Sequence, residues 1–102
     1  MLVKVTTCCG CIQVSPQHLH IEKGEKVRWV CDAGRLEVKF EHGSPFEKDV
    51  FTKTASEMTV FSGSQLDKVE LGIPYKYTVT VWKGGTQLTP LDPEVVVDPP
   101  PP

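Results

Sequence analysis

Tyr75-Lys-Tyr-Thr-Val-Thr-Val-Trp82 is the stretch whose reading decides the fold class. Tyr75, Tyr77, Val79 and Val81 stand at every second position, with Lys76, Thr78 and Thr80 between them. Side chains leave a strand alternately from its two faces, so this spacing predicts a half-buried β-strand with the tyrosines and valines inward. Trp82 then falls on the opposite face from Tyr77 and Val79. Lys83-Gly-Gly-Thr86 after it reads as a hairpin-like turn, and Asp92-Pro93 precedes a last strand from Glu94 to Val97.

The same period runs upstream. In Gln17-His-Leu-His-Ile-Glu-Lys-Gly-Glu-Lys-Val-Arg-Trp-Val30, two strands flank a Lys23-Gly24-Glu25 turn, where glycine is free to take positive φ. Leu19 and Ile21 alternate with His18, His20 and Glu22; Val27, Trp29 and Cys31 share the inward face of the next strand. Val3 with Val5, and Leu36 with Val38 and Phe40, mark two more strands, and Met58 with Val60 begins another. Val69, Leu71 and Ile73 give a weaker period of two, ended by Pro74. The segment from Phe46 to Ser56 lacks clean periodicity and reads as a loop with a helical turn, pinned by Phe46 and Phe51. No segment carries a 3.6-residue period. About seven short strands with turns every 8–12 residues predict an all-β, antiparallel Greek-key β-sandwich. Residues 1–98 form its single domain, followed by a proline tail at 99–102 expected to be polyproline II and unpacked.

The composition agrees. A chain of 102 residues buries roughly 60–70% of its unfolded surface, enough for one core. Hydrophobic residues make up 39% and charged residues 24%, which suits a soluble globular protein. The net charge of −2 gives no global pull toward nucleic acid or membrane. No run of ~18 apolar residues is present, so no membrane-spanning helix is expected. Met1-Leu-Val-Lys-Val-Thr-Thr7 is too short and polar for a secretory signal, which places the protein in the cytoplasm unless a leader has been removed.

The Lys23-Gly24-Glu25 turn, the Val27-Arg28-Trp29-Val30 strand that follows it and the Tyr75-Lys-Tyr-Thr-Val79 strand together resemble the cupredoxins, the small blue-copper sandwiches. The resemblance covers most of residues 12–97 and implies their architecture; the alternative is an immunoglobulin-like or fibronectin-like sandwich. It does not extend to the copper ligands. Where the family carries its first histidine, this chain has Arg35, Leu36 and Glu37. Val79 stands in the cysteine position, and Trp82, Lys83, Gly84, Gly85 and Leu88 follow with no His or Met. A blue-copper centre needs one thiolate and two imidazoles with a weak axial thioether, and valine has no lone pair to give. Electron transfer by that route is excluded.

Two other groups bear on chemistry. Cys8, Cys9 and Cys11 form a Cys-Cys-Gly-Cys cluster, and Cys31 lies twenty residues after Cys11. The cluster offers a soft site for Cu(I) or Zn(II), completed by Cys31. A disulfide between Cys31 and one of the three is an alternative, as are four reduced thiols with Cys31 packed beside Trp29. His18 and His20 lie two apart on one strand face, ~6.5–7 Å from each other and within chelating reach of one ion, with His42 as a third ligand from elsewhere; otherwise they are solvent-facing imidazoles. Trp82 is a candidate contact residue for a partner, or it packs under the Phe46–Ser56 loop.

The expectation is therefore a non-catalytic binding or assembly module without a cofactor. It would contact an unknown protein partner through loop ends, Trp82 or an edge strand, as a monomer or weak homo-oligomer. The alternative is a metal-handling protein that uses Cys8, Cys9, Cys11 and Cys31, or the His18/His20 pair, to hold Cu(I) or Zn.

Overall fold

The computed structural model describes residues 1–100, which hold strands and turns and no helix. The strands are β1 (Leu2–Cys8), β2 (Cys11–Ser15), β3 (His18–Glu22), β4 (Arg28–Val30), β5 (Arg35–Lys39), β6 (Val50–Lys53), β7 (Thr59–Phe61), β8 (Pro74–Lys76), β9 (Thr78–Lys83), β10 (Thr86–Gln87) and β11 (Glu94–Asp98). They form three sheets in the orders β2-β1-β4-β7, β10-β9-β5-β6 and β3-β11-β8. Among the described residues nothing is long and apolar enough, as a helix, to cross a membrane.

The alternation places each strand's inner face. Val3 and Val5, Ile12 and Val14, Leu19 and Ile21, Leu36 and Val38, and Val79 and Val81 are all buried, with polar neighbours outward on most strands. Each such aliphatic side chain contributes about 1.5–3 kcal/mol by leaving water. The three sheets share one core. Its centre is aromatic: Trp29 meets Tyr77 edge-on with ring centroids 5.8 Å apart, and Phe40, Phe46 and Phe51 close around them at 5.0–6.4 Å. Phe46 and Phe51 do pin their segment to the core.

Four features depart from the sequence reading. The sheets are mixed rather than purely antiparallel: β1 runs parallel to β4, with Val3 opposite Trp29, and β3 runs parallel to β11. Face alternation is the same for either direction of pairing, so the pattern could not distinguish them. The Phe46–Ser56 segment contains β6, paired to β5. Its inward positions are Phe51 and Lys53, and a buried lysine does not register as apolar. The 75–82 stretch is two strands. Lys76 pairs with Glu94 of β11, whereas Thr78 pairs with Lys39 of β5. Tyr77, at the handover, donates its N–H to the Pro93 carbonyl instead. Finally, Val69 to Ile73 is not a strand, and Leu71 and Ile73 are exposed. Of the proline tail, Pro99 and Pro100 are exposed without regular structure; residues 101–102 lie outside the described ones.

Candidate functional sites

Three thiols crown one hairpin. β1 ends at Cys8 and β2 begins at Cys11, and the two cysteines are opposite partners in the ladder. The two residues between them turn the chain, with φ of 56° at Cys9 and 81° at Gly10. Positive φ at both central positions defines the hairpin turn whose twist suits the flanking strands, and asparagine or glycine is the usual first residue there. Cys9 holds this left-handed conformation despite its Cβ. The Sγ atoms of Cys8 and Cys9 are 3.6 Å apart, and Cys8, Cys9 and Cys11 are all exposed and free of disulfides.

Cys31 does not join them. It is also free, but only 1% exposed, in the core that Trp29 occupies. It continues the inward face of Val27 and Trp29, so its sulfur acts as a small apolar group. The structure thus separates the four cysteines into an exposed trio and a packed single residue.

The positions that the sequence resemblance compared with copper ligands are apolar or turned outward. Val79 is fully buried, opposite Val38 in the ladder, and its N–H and carbonyl are both engaged with Leu91. Leu36 is also fully buried, and Arg35 turns outward. Among the described residues, no group of three or more His, Cys, Asp and Glu stands ready-made to hold a metal ion.

Arg35 instead lies over Trp82, its guanidinium carbon 3.8 Å from the ring centroid. The two residues are ladder partners on β5 and β9, which puts their side chains on one face. A flat guanidinium on an indole face is a favourable cation–π arrangement. The pair borders an open depression of about 540 Å³, floored by small residues: Ala33, Gly34, Ala55, Gly84 and Gly85. Trp82 is half-buried there. Ala55, from the segment that sequence reading placed over it, lines the same depression.

The floor is rigidly set. A Cβ on Gly34 would collide with the Trp82 carbonyl oxygen, so only glycine lets the two backbones approach this closely. The Gly34 carbonyl accepts a hydrogen bond from Nζ of Lys53 at 2.6 Å, and the same ammonium donates to the Thr54 carbonyl at 3.1 Å. Lys53 is 3% exposed, a buried cation satisfied by backbone oxygens. Sequence reading missed it, and also missed Arg35 as Trp82's partner, because both roles depend on strand register. On the turn beside Lys53, the backbone N–H of Thr54 donates to the Glu57 carboxylate, with the Thr54 hydroxyl as a second donor. These two bonds, with a lesser contribution from nearby Lys53, hold its pKa below the usual value against the opposing effect of desolvation.

The histidines point outward from β3, and each meets a carboxylate of β11. His18 Nδ1 lies 3.2 Å from Glu94 Oε1, and His20 Nδ1 lies 2.8 Å from Asp98 Oδ1. His42 sits in the turn after β5 and lines a different depression with Tyr77 and Asp92.

Comparison with family models finds no match to this chain, and a search of curated proteins finds no match either.

Proposed function

We propose that this chain is a non-catalytic binding or assembly module, built on a cupredoxin-like sandwich that lacks the type-1 copper ligands, and that it contacts a protein partner through the Trp82 face. The observation that carries this reading is the Arg35–Trp82 stack at the rim of the depression. Tryptophan and arginine are the residues on which interface energy concentrates, especially beside a recess that a partner side chain can fill. The backing is pre-organised, since Gly34 and Lys53 hold β5, β6 and β9 in one arrangement. Little is then lost to ordering when a partner docks. The cupredoxin-like reading is supported by the sequence resemblance, in which Val79, fully buried, stands in the cysteine position, and by the Trp29–Tyr77 contact at the core.

Affinity capture with the wild-type protein and with Trp82→Ala, compared by quantitative mass spectrometry, tests the contact. A partner retained by the wild type and lost by at least 10-fold with Trp82→Ala is expected. An identical partner list and an identical sedimentation profile for the two proteins would remove Trp82 from the function.

A second reading, soft-metal binding by the Cys8/Cys9/Cys11 hairpin, is favoured by one observation. Cys9 occupies a left-handed turn position that asparagine or glycine would fill with less strain. Three exposed thiols there contribute nothing to the core, and thiolates select Cu(I) and Zn(II). Native mass spectrometry with each ion should show one bound equivalent that disappears in Cys8→Ser/Cys9→Ser/Cys11→Ser. Unchanged metal content in the triple variant would refute it.

A further inference from the structure

We propose that His18 and His20 form an outer-face chelate for a borderline divalent cation such as Zn(II) or Cu(II), with Glu94 and Asp98 as its outer-shell carboxylates. Positions two apart on β3 project from the same face, so both imidazoles stand side by side on the surface. Their side chains are 73% and 60% exposed, and β3 is an edge strand of its sheet, so an ion has free approach.

The parallel pairing of β3 with β11 supplies the second half of the site. It sets Glu94 directly opposite His18, while Asp98 reaches His20 from the position paired with Glu22. In both contacts the carboxylate meets the same ring atom, Nδ1. The Asp98 carboxylate accepts from Nδ1–H of His20, which fixes the tautomer in which Nε2 carries the free lone pair, the state a metal requires. Glu94 stands 3.2 Å from Nδ1 of His18, close enough to take the same role once the ring turns toward it. Val95 and Val97, between the two acids in sequence, are fully buried and anchor that strand in the core. The carboxylates are thus held on a rigid support. Two imidazoles provide two coordination positions, and water fills the others. This site lies on a different sheet from the cysteine hairpin and does not depend on the partner-binding reading.

The experiment uses the full chain with Cys8→Ser/Cys9→Ser/Cys11→Ser, so that no exposed thiol competes. Calorimetric titration with Zn(II) reads affinity, and electron paramagnetic resonance with one equivalent of Cu(II) counts the coordinated nitrogens. One saturable site with two imidazole nitrogens is expected. His18→Ala or His20→Ala should each weaken Zn(II) binding by at least 10-fold, His42→Ala should leave it unchanged, and Asp98→Asn should weaken it roughly 10-fold, as for outer-shell partners elsewhere. All four are surface substitutions, and circular dichroism checks that the fold persists. The chelate is overturned by absent saturation, by a single-nitrogen signal, or by unchanged affinity in His18→Ala/His20→Ala. Full affinity in Glu94→Gln/Asp98→Asn would overturn the role of the carboxylates.

Discussion

Replacing Tyr77 by phenylalanine removes one oxygen from the centre of the core and leaves the ring in place. Tyr77 is 1% exposed, and its hydroxyl oxygen accepts the indole N–H of Trp29 at 3.3 Å. Trp29 is itself fully buried, so in Tyr77→Phe its N–H loses this acceptor in a place that water does not reach. A buried donor left without an acceptor costs about 1–3 kcal/mol, and this is the expected loss of unfolding free energy at pH 7. The loss should not persist at high pH. Burial pushes the Tyr77 phenol up from 10.0 to about 12, while the Trp29 hydrogen bond pulls weakly the other way. A phenol whose folded value is raised stays neutral when folded but ionises when unfolded. Its stabilising contribution is complete below pH 10 and is lost as the pH rises through about 12. A difference of two pH units corresponds to about 2.7 kcal/mol. Wild type should therefore lose about 2–3 kcal/mol more than Tyr77→Phe between pH 9 and pH 12, and the two stability curves should converge or cross. Urea unfolding followed by tryptophan fluorescence, repeated at several pH values, reads both effects. A gap below about 0.5 kcal/mol at pH 7, or one that stays constant up to pH 12, would refute the argued burial and hydrogen bond.

The other predictions concern packing and turns. Gly34→Ala drives a methyl group into the Trp82 carbonyl and should cost about 1–3 kcal/mol in denaturant unfolding, as other overpacking changes do. Val79→Ala opens a cavity at a fully buried position and should cost about 1–3 kcal/mol, with no gain of copper binding. Cys9→Asn places the preferred residue at the first turn position of the β1–β2 hairpin and should raise stability by about 0.5–1 kcal/mol, read as a higher urea midpoint at unchanged slope.

Strand register and turn geometry bring the candidate groups together. Arg35 with Trp82, and His18 with Glu94, are ladder partners, so register alone makes them neighbours. At the cysteine hairpin the turn does the work, since a two-residue loop places Cys8 and Cys11 face to face. The core beneath is apolar, with hydrocarbon at Val79 and the aromatic cluster around Trp29.

Much of this was legible in the chain. Period-two alternation in the segments around Val3, Leu19, Trp29, Leu36 and Val79 determined that the protein is all-β, and which side chains face inward, because burying apolar surface outweighs every other local preference. The turns at Lys23-Gly24-Glu25 and Lys83-Gly-Gly-Thr86, and the apolar role open to Cys31, follow from the same pattern. Tertiary structure alone decided the partners. It set β1 beside β4 and β3 beside β11 in parallel, divided the Tyr75–Trp82 stretch between two sheets, and drew Lys53 inward onto the Gly34 carbonyl. Alternation states which face of a strand is wet; which strand lies alongside is settled by long-range hydrogen bonding and by the packing of the whole core, and these leave no local trace in the order of residues.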